Sequence, residues 1–132
     1  LVHADLFPDD VFFDARGAVS GVIDFYFACA DAFAYDLAIT MNAFASERGR
    51  FDEARASALL SAYCAGRALN IAERAAFGDL ARGAALRFLL TRLYDFLHQV
   101  EGAVVRVKDP LEYRDLLMAH RGGAAARLIG KA

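Results

Sequence analysis

Hydrophobic and polar positions follow two different patterns along the chain, and the pattern changes near residue 33. Before that point, short runs of β-branched and aromatic residues occupy 11–13 and 19–27, and Gly17 lies in a turn-like stretch between them. Residues of these types favour strands, and two short strands around a tight turn form a hairpin. The front of the chain is therefore predicted to be an antiparallel β-hairpin.

After residue 33, apolar positions recur at the three- and four-residue intervals of a helix. The helices predicted from this period cover 35–45, 53–66, 70–99 and 110–120, and a short Ala-rich tail follows them. Asp52, Asn70 and Asp109 stand where N-cap residues are expected. The predicted fold class is α+β and mainly α, with a short β-hairpin followed by a helical bundle.

The composition fits one domain with its own core. The chain has 132 residues, of which 58% are hydrophobic, and a disordered chain lacks that many apolar residues. No run of 18 apolar residues and no signal peptide is visible, so we expect no membrane association and a cytoplasmic location. Cys29 and Cys64 are expected to be buried, reduced thiols. Because the first residue is Leu1 rather than Met, we expect a piece of a longer protein.

Negative charge is concentrated at the front of the chain. Seven aspartates lie within the first 36 residues against one basic residue, Arg16, whereas the whole chain carries a net charge of −2. Without a basic field, nucleic-acid binding is not expected. Turns and helix caps explain part of this aspartate cluster, and a divalent-cation site is the alternative, because hard cations collect carboxylates.

Three of these aspartates are expected to converge. A hairpin brings Asp10, which precedes its first strand, close to Asp24, which ends its second, while Asp5 lies in the loop that leads into the hairpin. Carboxylates packed this closely repel one another unless a cation lies among them. A Mg²⁺ ion that bridges phosphate oxygens is the most economical candidate.

The same residues carry a resemblance to the kinase catalytic loop, H-x-D-x-x-x-x-N, which is followed by a metal-binding D-F-G-like segment. His3, Asp5 and Asp10 fit the loop spacing with Asp in the Asn position, and Ile-Asp24-Phe-Tyr26 stands in the D-F-G place with Tyr instead of Gly. Loss of that Gly is typical of small-molecule kinases of the aminoglycoside and choline phosphotransferase superfamily. Segments 3–9, 21–29, 34–38, 82–95 and 108–113 are together similar to the bacterial homoserine kinases of that superfamily.

The resemblance implies a fold, a reaction and its cofactors. The chain would be the C-terminal lobe of a protein-kinase-like fold, a single domain over 1–132, with the catalytic loop and metal-binding hairpin at 1–32 and a helical subdomain at 33–132. The reaction would transfer the γ-phosphate of ATP, with Mg²⁺, to the hydroxyl of L-homoserine in threonine biosynthesis. The N-terminal ATP-clamping lobe is absent from the 132 residues, so we expect the isolated chain to be nearly inactive.

Motif position also implies residue roles. Asp5 would accept or orient the hydroxyl proton, Asp24 would bind Mg²⁺, and Asp10 would take the second metal task. His3 and Asp36 would support the site structurally, His3 through packing and a backbone hydrogen bond and Asp36 at a helix start.

Two arginines on the third helix have two interpretations. Arg87 and Arg92 belong to a solvated, salt-bridged stripe, or they face the site and hold a substrate carboxylate or phosphate. His98 and His120 are expected at the surface. The front phenylalanines are expected in the core, namely Phe7, Phe12, Phe13, Phe25, Phe27 and Phe33.

Two other functions remain open from the sequence. One is a related kinase that acts on choline or an aminoglycoside, although the positive balance after residue 36 argues against a cationic substrate. The other is a non-catalytic module that kept the fold, which the Asp10 departure and the absent lobe both favour. An absent lobe is also expected to leave apolar surface uncovered around residues 1–27.

Overall fold

The front of the chain forms the predicted hairpin in the computed structural model, which describes residues 1–99 and 107–130. Strands β1 (Val11–Phe13) and β2 (Val19–Val22) pair antiparallel, with Val11 opposite Val22. Asp14 stabilises the turn, because its carboxylate accepts the backbone N–H groups of Arg16 and Ala18 at 2.8 and 2.9 Å. The hairpin therefore owes its turn to a local side-chain bond.

The second strand is shorter than predicted. It ends at Val22, because Asp24 adopts a left-handed backbone conformation with φ 63° and residues Phe25–Phe27 form a 3₁₀ turn. The β-propensity of residues 19–27 predicts one continuous strand, but a residue in the left-handed conformation interrupts a strand. The interruption turns the chain away from the hairpin directly after Asp24.

Helices make up most of the rest, as predicted. They are α1 (Phe33–Phe44), α2 (Glu53–Gly66), α3 (Ile71–Leu97), α4 (Leu111–Arg121) and α5 (Ala124–Ile129). Two features differ from the prediction. A two-residue hairpin, β3 (Ser46–Glu47) with β4 (Arg50–Phe51), joins α1 to α2, and the Ala-rich tail is the helix α5. In the described ranges, no helix is both long enough and apolar enough to cross a membrane.

Two of the three predicted N-caps, Asp52 and Asn70, cap their helices, whereas α4 has Pro110 rather than Asp109 at its N-cap position, and the Asp109 carboxylate accepts the N–H of Leu111 at 2.8 Å. The Asp52 carboxylate accepts the N–H groups of Ala54 and Arg55, both at 3.0 Å. Asn70 and Glu73 form a reciprocal capping box, each side chain accepting the other's backbone N–H at 2.9 Å. These bonds satisfy N–H groups that have no partner within the helix. The start of a helix can therefore be predicted from residues close to it in the sequence.

The core consists of two apolar clusters that share α1 and α3. The first joins α1, α2, α3 and α5 around Met41, Leu60 and Phe77, and the second joins α1, α3 and α4 around Ile39 and Leu116. All five side chains are buried. Helix α3, which like α1 contributes to both clusters, also carries Arg87 and Arg92.

A buried polar link joins three helices and corrects one prediction. His120 of α4, expected at the surface, is 2% exposed, and its Nε2 lies 2.7 Å from Oδ1 of Asn42 in α1. Asn42 in turn donates to the carbonyl of Ala81 in α3 at 3.1 Å. A polar side chain is stable in the core when it is hydrogen-bonded, and sequence pattern did not reveal this partner.

Most of the front phenylalanines are not in the core. The exposed residues Phe12, Phe13, Val19, Ile23, Phe25 and Phe27, which we call the front apolar surface, are 49–60% exposed. Phe33 is also exposed, and Phe7 alone of the predicted set is partly buried, edge-on against Phe88 at 5.2 Å. A two-stranded hairpin has two faces, and the helices pack against too little of it to bury its aromatic side chains. Cys29 is likewise exposed and Cys64 only partly buried.

Candidate active site

The loop that carries His3 and Asp5 is fixed at its start by backbone pairing. Val2 and Cys29 exchange two backbone hydrogen bonds of 2.9 and 3.2 Å, forming an isolated antiparallel bridge. Ala4 follows in a left-handed conformation with φ 64°, which a residue with a Cβ adopts only when its surroundings hold it there. These constraints fix the backbone conformation of the loop just before Asp5.

Two side chains form hydrogen bonds with the backbone of Ala4, one with its N–H and one with its carbonyl. Its N–H donates to Oδ1 of Asp36 at 2.7 Å, and its carbonyl accepts from Arg87 at 2.6 Å. A second nitrogen of the Arg87 guanidinium lies 3.4 Å from Oδ1 of Asp5. Arg87 thus contacts both the backbone next to Asp5 and its carboxylate.

His3 joins the loop to the segment that carries Asp24. Its Nε2 lies 2.9 Å from the carbonyl oxygen of Ile23, and its ring lies 4.7 Å from the ring of Phe25. The side chain is buried, and its Nδ1 has no hydrogen-bond partner among the described residues. The imidazole therefore links the residues on either side of Asp24 to the loop that bears Asp5.

The hairpin brings Asp10 beside the end of β2. The backbone N–H of Ile23 donates to the carbonyl of Asp10 at 3.0 Å, which makes Asp24 the next residue along. One carboxylate oxygen of Asp10, Oδ2, accepts the backbone N–H of Phe7 at 2.9 Å. This bond holds the loop between Asp5 and the hairpin, and it engages only one of the two carboxylate oxygens.

One cavity of about 500 Å³ collects most of these residues. Four of the residues singled out from the sequence, Asp5, Asp10, Asp24 and Arg92, line its wall. Its remaining lining consists of Phe7, Asp9, Phe88, Thr91, Asp95, His98, Gln99, Val107 and Lys108. The cavity lining does not include His3, Asp36 or Arg87. Asp36 and Arg87 contact the loop that carries Asp5, and His3 is part of that loop.

Sequence reasoning missed the contributions of Asp95 and Lys108. Asp95 was placed on a face of the third helix with Arg87 and Thr91, and the four-residue spacing of Thr91 and Asp95 was the available signal. No feature of the sequence around Lys108 indicated that it lines the cavity, because Lys108 precedes α4 and reaches the cavity through tertiary packing. His98, predicted at the surface, is exposed and lies at the cavity edge.

The electrostatics of the cavity act on Asp5. Burial raises the pKa of its carboxyl above the ordinary value, the charges of Asp10 and Asp24 raise it further, and the positive charge of Arg87 lowers it. A carboxylate whose pKa is raised accepts a proton more readily than an ordinary one. Asp5 is thus suited to take a proton inside this cavity.

The donor set of the cavity fits one kind of metal ion. Asp10 and Asp24 offer two carboxylates, and no group of three or more His, Cys, Asp or Glu side chains in the described ranges is placed to hold a metal together. Mg²⁺ usually takes one or two protein carboxylates and completes its shell with water and substrate phosphate oxygens. A closed zinc or calcium cage would need more protein ligands.

Both arginines have protein partners. The guanidinium of Arg87 lies over the rings of Phe27 and Phe88, at 5.6 and 4.8 Å from their centroids, in addition to its bonds to Ala4 and Asp5. Arg92 donates to Glu112 at 2.8 Å and to the carbonyl of Asp109 at 3.2 Å. Neither arginine is therefore a free cation at the cavity wall.

Comparison with known proteins shows that this chain is similar in sequence to phosphotransferases. The model of the phosphotransferase enzyme family matches residues 1–77, which is more than half of the chain. Homoserine kinases from Azorhizobium caulinodans and Methylorubrum populi are 55% and 56% identical over 133 and 131 residues. These matches cover 100% and 98% of this chain but 41% and 40% of the relatives. The chain therefore spans about two fifths of the length of these relatives.

Proposed function

The chain belongs to the phosphotransferase enzyme family, and on that premise we propose that it is the C-terminal lobe of an ATP-dependent kinase that phosphorylates the hydroxyl of L-homoserine. The observation that carries the proposal is a single cavity that holds Asp5, with its raised pKa, beside Asp10 and Asp24. The name homoserine kinase, borne by relatives that align with nearly all of the chain, supports the substrate. The reaction would serve threonine biosynthesis in the cytoplasm, and a separate N-terminal lobe would clamp ATP.

Asp5 acts as the general base in this proposal. A carboxylate that lies on the cavity wall accepts the proton of the substrate hydroxyl as the oxygen attacks the γ-phosphorus of ATP, the bond to the β–γ bridging oxygen breaks and ADP leaves. Arg87 keeps Asp5 in position through the Ala4 carbonyl and the carboxylate, and Asp36 holds the other side of the same peptide. His3 keeps the loop against the segment that carries Asp24.

Asp10 and Asp24 are the residues that would hold Mg²⁺. When bound, the ion supplies positive charge that offsets the charge on the triphosphate. The uncommitted oxygen of Asp10 and the exposed carboxylate of Asp24 are available for this role. Arg92 adds positive charge to the cavity wall, and Arg87 acts on the substrate through Asp5.

The test uses the full-length protein that contains this chain. A coupled assay of ADP release compares L-homoserine, choline and kanamycin as phosphate acceptors. We expect kcat/KM for homoserine to exceed the other two by at least about 100-fold. Asp5→Asn keeps the shape of the side chain, and we expect it to lower kcat by about 10²- to 10⁴-fold.

The same assay separates the alternatives. A preference for choline or kanamycin would refute the substrate and keep the phosphotransferase. No turnover with any acceptor, in a protein that binds ATP and unfolds cooperatively, would indicate a module without catalysis. Asp79→Asn is the control, since Asp79 is exposed on α3 and pairs with Arg82 outside the cavity.

A further inference from the structure

The cavity wall bears one cation, Lys108, and two anions, Asp9 and Asp95, that have no role in the proposed reaction. Asp5, Asp10 and Asp24 have roles, and both arginines are tied to protein groups. Of the other charged residues in the lining, Asp95 and Lys108 are the least engaged, while Asp9 is the partner of Lys108. An amino acid brings one carboxylate and one ammonium, and a site for it needs a group of each sign.

Lys108 is only weakly held by its protein partner. Its Nζ lies 4.0 Å from Oδ2 of Asp9, at the outer limit of an ion pair, and both side chains are more than half exposed. Ion pairs between exposed side chains contribute little free energy, because solvent screens the attraction between their charges. The ammonium also lies 4.8 Å from the centroid of the Phe7 ring, another residue of the cavity wall. The ring keeps the charge near the cavity while leaving its N–H donors available.

Asp95 offers an uncommitted carboxylate in the same cavity. It lies one turn after Thr91 on α3, and both residues line the wall. Among the described residues, no hydrogen bond or ion pair reaches its carboxylate, whereas Thr91 donates to the carbonyl of Arg87. Helix α3 is anchored in both core clusters through residues 77–89, and Asp95 lies about two turns beyond them in the same helix.

We propose that Lys108 binds the carboxylate and Asp95 the ammonium of the amino-acid substrate, so that the hydroxyl end is left to Asp5. The inference rests on the proposed function, because it assigns the two ends of that function's substrate. It also accounts for selectivity: choline and aminoglycosides carry positive charge but no carboxylate, and they would leave Lys108 without a partner.

The test pairs two variants with two truncated substrates, in the full-length protein. The compound 3-aminopropan-1-ol lacks the carboxylate of homoserine, and 4-hydroxybutanoate lacks the ammonium. Lys108→Met is expected to lower kcat/KM for homoserine by about 10- to 100-fold and to leave that for 3-aminopropan-1-ol unchanged. Asp95→Asn is expected to lower kcat/KM for homoserine similarly and to leave that for 4-hydroxybutanoate unchanged.

Matched controls and the pattern of losses make the outcome decisive. Arg114→Met on α4 and Asp79→Asn on α3 remove exposed charges outside the cavity, and neither is expected to change any of the three kcat/KM values. Equal losses on homoserine and on the truncated substrate would overturn the assignment, as would a rise in the KM for ATP, which would place Lys108 on the triphosphate. Failure of the proposed function is distinct, because the wild-type protein would then not phosphorylate homoserine.

Discussion

Asp5 is the residue whose protonation the surrounding charges control. Burial and the carboxylates of Asp10 and Asp24 favour the protonated form, and Arg87 favours the ionised one. In the proposed reaction Asp5 is a general base, which acts in its ionised form, so a change among these neighbours is expected to move the pH at which activity appears. Two substitutions test this balance from opposite sides.

Replacing Arg87 is expected to shift the acid limb of the pH profile upward. Arg87→Met removes the charge that lowers the pKa of Asp5, so this pKa rises and activity appears only at higher pH. It also removes the hydrogen bond to the Ala4 carbonyl, so kcat falls by about tenfold or more even at the optimum. Arg87→Lys keeps the charge and is expected to restore part of the profile. Profiles of kcat/KM that coincide for wild type and Arg87→Met would contradict the positioning role.

Replacing Asp10 is expected to act in the opposite direction. Asp10→Asn keeps an oxygen that can accept the Phe7 N–H. It removes a negative charge that raises the pKa of Asp5, so the acid limb moves to lower pH. Because one negative charge fewer then lies beside the triphosphate, turnover is expected to rise on the order of tenfold, about 1.4 kcal/mol in the barrier, despite the lower pKa of Asp5. Half-maximal activity is expected to need more Mg²⁺, because one charged ligand is lost. A fall in turnover would instead mean that the carboxylate at this position is an adapted ligand.

At the scale of elements, the buried His120–Asn42 link ties α4 to α1, and Asn42 extends it to α3. Burial first, and then the charge of Arg82, lower the pKa of His120 from 6.5 to about 4. The folded chain therefore holds this imidazole neutral at pH values where an unfolded chain would protonate it. Helix packing at this point consequently depends on pH.

Acid is expected to weaken this junction between pH 6.5 and about 4. In that window the unfolded chain binds a proton at His120 that the folded chain does not, so the free energy of unfolding rises with pH and is lost as pH falls. The pKa difference corresponds to about 3 kcal/mol at most. His120→Gln retains a donor for Asn42 and does not titrate, so urea unfolding followed by circular dichroism should lose this dependence. His98→Gln, at an exposed position, should keep it.

At the scale of the whole molecule, the helices bury two apolar clusters while the front apolar surface stays in contact with solvent. Exposed apolar residues on this scale usually mark a surface that another protein element covers. The relatives are more than twice as long as this chain, which leaves ample sequence for such an element. The loop that carries Asp5 adjoins this surface, because the ring of His3 lies 4.7 Å from the ring of Phe25.

The isolated chain is expected to self-associate through the front apolar surface. Static light scattering over a wide concentration range should show an apparent mass that rises above that of a monomer. The double substitution Phe12→Ser with Phe13→Ser should reduce the rise, since both side chains are more than half exposed and contribute little to the core. Ile71→Ser with Leu111→Ser, which removes exposed apolar side chains outside this surface, is the matched control. A constant monomer mass would contradict the prediction.

Local sequence determined the helices, their caps and the hairpin turn, because each depends on residues a few positions apart. Asp52, Asn70 and Glu73 make the bonds that their spacing predicts, and Asp14 closes its turn within four residues. The motif spacing likewise indicated that Asp5, Asp10 and Asp24 belong together, since a hairpin is itself a local structure. The family resemblance was likewise carried by short segments, at 3–9, 21–29, 34–38, 82–95 and 108–113.

Contacts between residues far apart in the sequence were decided by the tertiary structure alone. The burial of His120 depends on Asn42, 78 residues away, and the contact of Arg87 with Asp5 spans 82 residues. Lys108 reaches the cavity because α4 packs against α3, and the front phenylalanines stay exposed because the helices pack against too little of the hairpin. Hydrophobic period and residue type tell which side chains favour burial, but they do not say which other surface is available to bury them.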